Sequence, residues 1–125
     1  MNQIILASHG GLAAGAKDTL EMVLGDVSNV HVVSLARDDK EPITNKVEAM
    51  IATFNADDTV YVLTDMLGSS VNNSMVELSK NGTKFTVVSG FNIPLALTLA
   101  MSPVAVKGAE LAALFGVAGG VGVGQ

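Results

Sequence analysis

Two residues in this chain combine reactive side chains with positions where chemistry collects. His9 closes the apolar run Ile4-Ile5-Leu6-Ala7-Ser8 and is followed at once by Gly10-Gly11. Asp65 closes a second run, Thr59-Val60-Tyr61-Val62-Leu63-Thr64, and is followed by Met66-Leu67-Gly68-Ser69-Ser70. An imidazole is a nucleophile or base near neutral pH. A carboxylate that accepts its Nδ1–H fixes the tautomer, leaves the Nε2 lone pair outward and stabilises charge that develops on the ring. The chemistry this pair suits is transfer of a phosphoryl group to Nε2. The glycines and polar residues around it, Gly10, Gly11, Gly68 and Ser69, with Asn92 of a third loop, read as phosphate-binding loops next to helix N-termini. Simpler roles compete: Asp65 as an Asx-turn or cap, Ser69 or Ser70 as an N-cap, the glycines as turns. His31 lies early in its strand, at the wrong sheet edge, and is assigned no function.

The elements that must position these residues follow from periodicity. Leu12, Ala16, Leu20 and Leu24 form a helical stripe that stops at Gly25. Val30–Leu35 reads as a second strand. Pro42 opens a second helix, carried by Ile43, Val47, Met50, Ile51 and Phe54. The third strand ends at Asp65, a third helix runs to Asn81-Gly82, and Phe85–Ser89 is a fourth strand. The loop Gly90-Phe91-Asn92-Ile93 leads through Pro94 into a fourth helix ending at Met101. A short last helix, 107–115, and a Gly-rich tail, 116–123, complete the chain. Strands alternating with helices specify right-handed crossovers and an open, mostly parallel α/β sheet with helices on both faces. Strand order 2-1-3-4 puts the first and third strands side by side at the switch point, and so brings His9 and Asp65 together.

Composition limits the classes of function. A chain of 125 residues fits one domain, 1–125. Seven Lys and Arg against twelve Asp and Glu give a net charge of -5, which argues against nucleic acid. There is no cysteine, hence no thiolate metal site. No metal and no cofactor are expected. The apolar stretch 93–106 is interrupted by Pro94 and Pro103 and is too short to span a bilayer, so a cytoplasmic protein without membrane insertion is expected.

Three segments then resemble one family in order and at matching strand ends: Ser8-His9-Gly10, Thr64-Asp65-Met66-Leu67-Gly68-Ser69-Ser70-Val71-Asn72-Asn73 and Gly90-Phe91-Asn92-Ile93-Pro94. They look like the mannose-type enzyme IIA component of the bacterial phosphoenolpyruvate-dependent sugar phosphotransferase system. The resemblance implies a phosphocarrier that takes a phosphoryl group from the carrier protein HPr onto His9 and passes it to a IIB component for sugar uptake. It implies that Asp65 orients His9, that Ser70 is a site serine, and that a homodimer exchanges an antiparallel C-terminal strand. The chain departs from the family in having Gly68-Ser69-Ser70-Val71 where Gly-Gly-Ser-Pro is usual, and in a short, Gly-rich C-terminal region with no IIB segment after it. A partner-docking rim of Leu12, Met66, Leu67, Phe91 and Ile93 is expected around His9, with Asp38 and Asp39 close by.

Competing readings weigh less. The phosphotransfer subunit of dihydroxyacetone kinase differs in its loops. A receiver-like domain phosphorylated on Asp65 needs acidic residues after the first strand, where Ser8-His9 stands. A histidine phosphatase needs a second catalytic histidine and several arginines. Gly10-Gly11-Leu12 does not match a dinucleotide fingerprint.

Overall fold

The computed structural model of the chain describes residues 1–66, 68–82, 84–106 and 110–111. Strands and helices alternate along it: β1 Asn2–His9, α1 Leu12–Leu24, β2 Val30–Leu35, α2 Ile43–Ile51, β3 Thr59–Thr64, α3 Ser70–Lys80, β4 Thr86–Ser89 and α4 Ile93–Met101. The strands form one parallel sheet in the order β2-β1-β3-β4, as the alternation predicts.

Side-chain alternation along the central strands builds two cores. Ile4 and Leu6 of β1 lie level with Tyr61 and Leu63 of β3 and pack under α1 and α4 with Ala13, Leu20, Leu95 and Leu99. Ile5 and Ala7 turn to the other face, where Val62 joins Val47, Val71 and Met75 of α2 and α3. All four β1 residues are fully buried, so β1 reads as a continuous apolar run rather than as an alternating one. Truncating Ile4, Ile5 or Leu6 to alanine costs about 2–5 kcal/mol. The sheet is therefore a rigid base for whatever its carboxyl edge carries.

Boundaries differ from the sequence reading in small ways with local causes. The second helix ends at Ile51, before Phe54, because Thr53 and Phe54 take up turn hydrogen bonds to Met50 and Ile51. Phe54 still packs against the core under α2. Beyond α4 the chain is tied down by polar side chains. Asn2 Nδ2 donates to the carbonyls of Leu99, Ser102 and Val104, which include groups that a helix C-terminus leaves unpaired. The Tyr61 hydroxyl donates to the Val106 carbonyl (2.8 Å) and accepts its N–H (2.6 Å). The expected last helix and Gly-rich tail lie outside the described residues, except Glu110 and Leu111, which are helical. Leu67, expected in the docking rim, also lies outside them. No helix among the described residues is long and apolar enough to cross a membrane.

Candidate active site

Parallel pairing carries His9 and Asp65 to one edge. Ala7 is level with Thr64 across β1 and β3, and His9 is level with Leu35 across β1 and β2. The chain must turn sharply after His9 to start α1. Gly10 makes that turn at φ +56, a conformation that an L side chain rarely adopts, and its N–H donates to Leu35 O (3.0 Å). α1 has no side-chain cap at Gly11. The buried Ser8 hydroxyl supplies one from the preceding strand, accepting the Ala13 N–H at 2.9 Å. α3 is capped by Ser69, whose Oγ accepts the Asn72 N–H, and α4 by Asn92, whose Oδ1 accepts the Leu95 N–H at 2.8 Å. Three helix N-termini thus face the edge where His9 sits, each leaving first-turn N–H groups with no acceptor inside the helix.

The pair itself is closely bonded. Asp65 Oδ2 accepts both the His9 backbone N–H (3.0 Å) and the ring at Nδ1 (2.7 Å). Asp65 Oδ1 accepts the Met66 N–H (2.9 Å) and the Ser69 hydroxyl (2.9 Å). Burial pushes the Asp65 carboxyl up, but the hydrogen bonds from His9, Ser69 and Met66 together outweigh it and hold the group below its ordinary value. An ionised Asp65 only accepts, so the Nδ1 proton is assigned to the ring and Nε2 carries the lone pair. That lone pair faces Ser70, whose Oγ lies 3.0 Å away and donates to it. The His9 side chain is 44% exposed while that of Asp65 is 6% exposed. The arrangement is a nucleophile open to a partner, backed by a sequestered carboxylate. His9, Asp65, Ser69 and Ser70 therefore meet as one bonded group. Gly10 and Gly68 shape its two loops, Gly68 at φ +80.

Around this group lies an apolar rim. Leu12 and Met66 are 55% and 58% exposed. Phe91 and Ile93 are half-buried and, with Leu12 and Ala16, line a groove of about 490 Å³ between α1 and the β4–α4 loop. A second cavity of about 520 Å³ opens at the opposite sheet edge beside Asp58, Lys80 and Phe85, away from His9. Asp38 and Asp39 follow β2 on the His9 edge, and both are exposed. Asp39 is not a free charge: Lys46 Nζ donates to it at 2.8 Å and, with the Ala36 N–H, holds its carboxyl below its ordinary value. His31 has a structural place, with Nε2 2.8 Å from Gln3 Oε1 and its ring against Phe54.

Two supporting residues escaped the sequence reading. Ser8 looked like the end of a strand, yet it caps α1. Asn72 is buried in α3, where its Oδ1 accepts hydroxyls from Thr64 and Ser89, both at 2.7 Å, joining α3 to the ends of β3 and β4. The signal was available for Asn72, since it sits one turn before Met75 on the apolar face of its helix.

Comparison with known proteins places this edge in a family. Residues 3–115 match the family described as EIIA-man, the PTS system fructose IIA component. The PTS system sorbose-specific EIIA component of Lacticaseibacillus casei is 27% identical over 101 residues, which cover 80% of this chain and 72% of that protein. The mannose-specific EIIAB component of Escherichia coli (strain K12) is also 27% identical, but the match spans 31% of its length and 79% of this chain. Among solved structures, the PTS IIA protein associated with the fucose utilization operon of Streptococcus pneumoniae superposes with a TM-score of 0.70. It is 33% identical, over 81% of this chain and 77% of that one. The match to the family over 3–115, on a parallel 2-1-3-4 sheet, means that this chain belongs to the EIIA-man family of sugar phosphotransferase system IIA components.

Proposed function

We propose that this chain is a cytoplasmic phosphocarrier which accepts a phosphoryl group from HPr on His9 Nε2 and hands it to a IIB component for sugar uptake. The observation that carries the reading is the 2.7 Å bond from His9 Nδ1 to Asp65, which leaves the Nε2 lone pair as the exposed nucleophile. In the loading step Nε2 forms a bond to phosphorus while the donor's bond to phosphorus breaks and its electron pair returns to the donor. The Nδ1 proton stays on the ring, and Asp65 balances the positive charge that results. First-turn N–H groups of α1 and α3, with Ser70, lie where the phosphoryl oxygens arrive. Onward transfer reverses the same bonds toward the IIB nucleophile. Phosphorylation of Asp65 itself suits the site less well, because each of its oxygens already accepts two hydrogen bonds.

The partners follow from the same edge. Leu12, Met66, Phe91 and Ile93 supply apolar contact area for HPr and IIB. A second copy of the chain, in a homodimer, completes the proposed assembly. The test is incubation with phosphoenolpyruvate, enzyme I and HPr, followed by mapping of the label. An acid-labile, base-stable phosphate on His9 is expected, lost in His9→Ala and kept in His31→Ala. Label that persists in His9→Ala refutes the assignment.

A further inference from the structure

Asp65 accepts hydrogen bonds from four donors, and one of them stands apart. His9 contributes two, and the Met66 N–H belongs to the next residue in the chain. Ser69 contributes the fourth through its hydroxyl, at 2.9 Å from Oδ1. Ser69 Oγ itself accepts the Asn72 N–H at 3.1 Å. Since its lone pair points to the helix, its proton is directed to the carboxylate. Accepting a bond from the helix also polarises the O–H and strengthens it as a donor. One hydroxyl therefore couples the start of α3 to the group that holds the His9 ring.

We propose that Ser69 is a positioning residue for phosphoryl transfer, acting on His9 through Asp65. The proposal rests on the reading of His9 as the phosphoryl acceptor. Two physical effects follow from the bond. First, it resists rotation of the carboxylate, which would swing Oδ2 away from Nδ1. Second, it draws charge from the carboxylate and makes it a weaker base, as any hydrogen bond to the ionised form does. His9 is the titratable group bonded to Asp65 among the described residues, so the competition is for the single Nδ1 proton. A weaker base leaves that proton on the ring after Nε2 is phosphorylated. The ring then stays positively charged, and the Nε2–P bond stays labile. When it breaks, the electron pair returns to Nε2 and the phosphoryl group passes to the acceptor, with the Nδ1 proton unmoved. Without Ser69, Asp65 takes the proton more often, and the neutral phosphorylated ring is a poorer donor. Loss of the hydroxyl should therefore slow unloading more than loading.

Ser69→Gly is the informative variant, because glycine is tolerated at an N-cap nearly as well as serine. Carbon-13 NMR of the unphosphorylated protein follows the Asp65 carboxyl, and needs no phosphoryl donor. In Ser69→Gly the carboxyl should titrate at higher pH than in the parent chain. Return of label from the phosphorylated chain to unphosphorylated HPr should slow about tenfold, the effect of losing one hydrogen bond, with loading affected less. Ser69→Thr, which keeps the hydroxyl, should restore both. An unmoved Asp65 titration overturns the proposal, even if transfer slows, since Ser69 is then only a cap. Return transfer at the parent rate overturns it as well. Failure of the phosphocarrier reading appears separately, as absence of label on His9 in the parent chain.

Discussion

At the scale of single residues, the site separates the proposed reacting group, His9, from the carboxylate bonded to it. Asp65 is sequestered, while His9 is open to a partner, and the bond between them has one acceptor oxygen serving both the ring and its backbone. Asp65→Asn keeps the size of the side chain but removes its charge. It also lets an N–H face Nδ1, which favours the wrong tautomer. The fold should survive, and phosphoryl transfer should slow by roughly 10²-fold or more in both directions, read by rapid-quench measurement with HPr. Equal rates would leave Asp65 as a turn residue only. The same substitution has a pH signature. The Asp65 carboxyl lies below its ordinary value near 3.8, so its ionised form stabilises the folded chain. That contribution is full above the unfolded value and is lost as pH falls through the lower folded one. Acid titration of stability should be shallower below pH 4 in Asp65→Asn than in the parent chain, measured by urea unfolding.

At the scale of elements, the parts legible in the sequence were those whose signal is local. The run Ile4–Ala7 with Gly10 behind it, the Leu12-Ala16-Leu20 stripe and the Asn92-Ile93-Pro94 start of α4 each carry their own pattern. The meeting of His9 with Asp65 needed only strand order, which alternation of strands and helices restricts. Contacts that depend on side-chain direction across elements were not legible. Nothing in Ser8 says that it reaches forward to Ala13 N–H, and nothing in Thr64 or Ser89 says that both donate to Asn72. β4 also shows what the sequence left open. It is a four-residue strand at the end of the sheet, with half-buried Val87 and Val88, and no strand among the described residues pairs with its outer edge. Such an edge offers unpaired N–H and C=O groups to another chain. A homodimer that covers it is the expected state, visible as twice the monomer mass by light scattering at tens of micromolar. A monomer under those conditions would refute it.

At the scale of the whole molecule, net charge would set how the proposed carrier partner arrives. A chain with twelve acidic and seven basic side chains has a net negative field, which draws a basic surface toward it. The field matters where it reaches the His9 edge, and on the β2–α2 loop Asp38 and Glu41 are exposed carboxylates that no described side chain pairs. Asp39 is occupied by Lys46, which leaves Asp38 and Glu41 as the unpaired acids of this loop, Asp38 being the nearer in sequence to β2. Reversing Asp38 to lysine changes the local field by two charges without touching the core or the His9–Asp65 pair. Exposed charges act over about 30 Å at 0.01 M salt but only about 10 Å at 0.1 M. If HPr docks at this rim through a basic face, Asp38→Lys should slow its association several-fold at low salt. The difference should shrink toward nothing as salt rises, with the dissociation rate little changed. Stopped-flow association at two ionic strengths measures it. Asp39→Lys is the contrasting case, because it also breaks the pair with Lys46 and loosens the loop. An association rate in Asp38→Lys that matches the parent chain at 0.01 M salt would move the docking surface off this side of His9, toward Met66 and the β4–α4 loop.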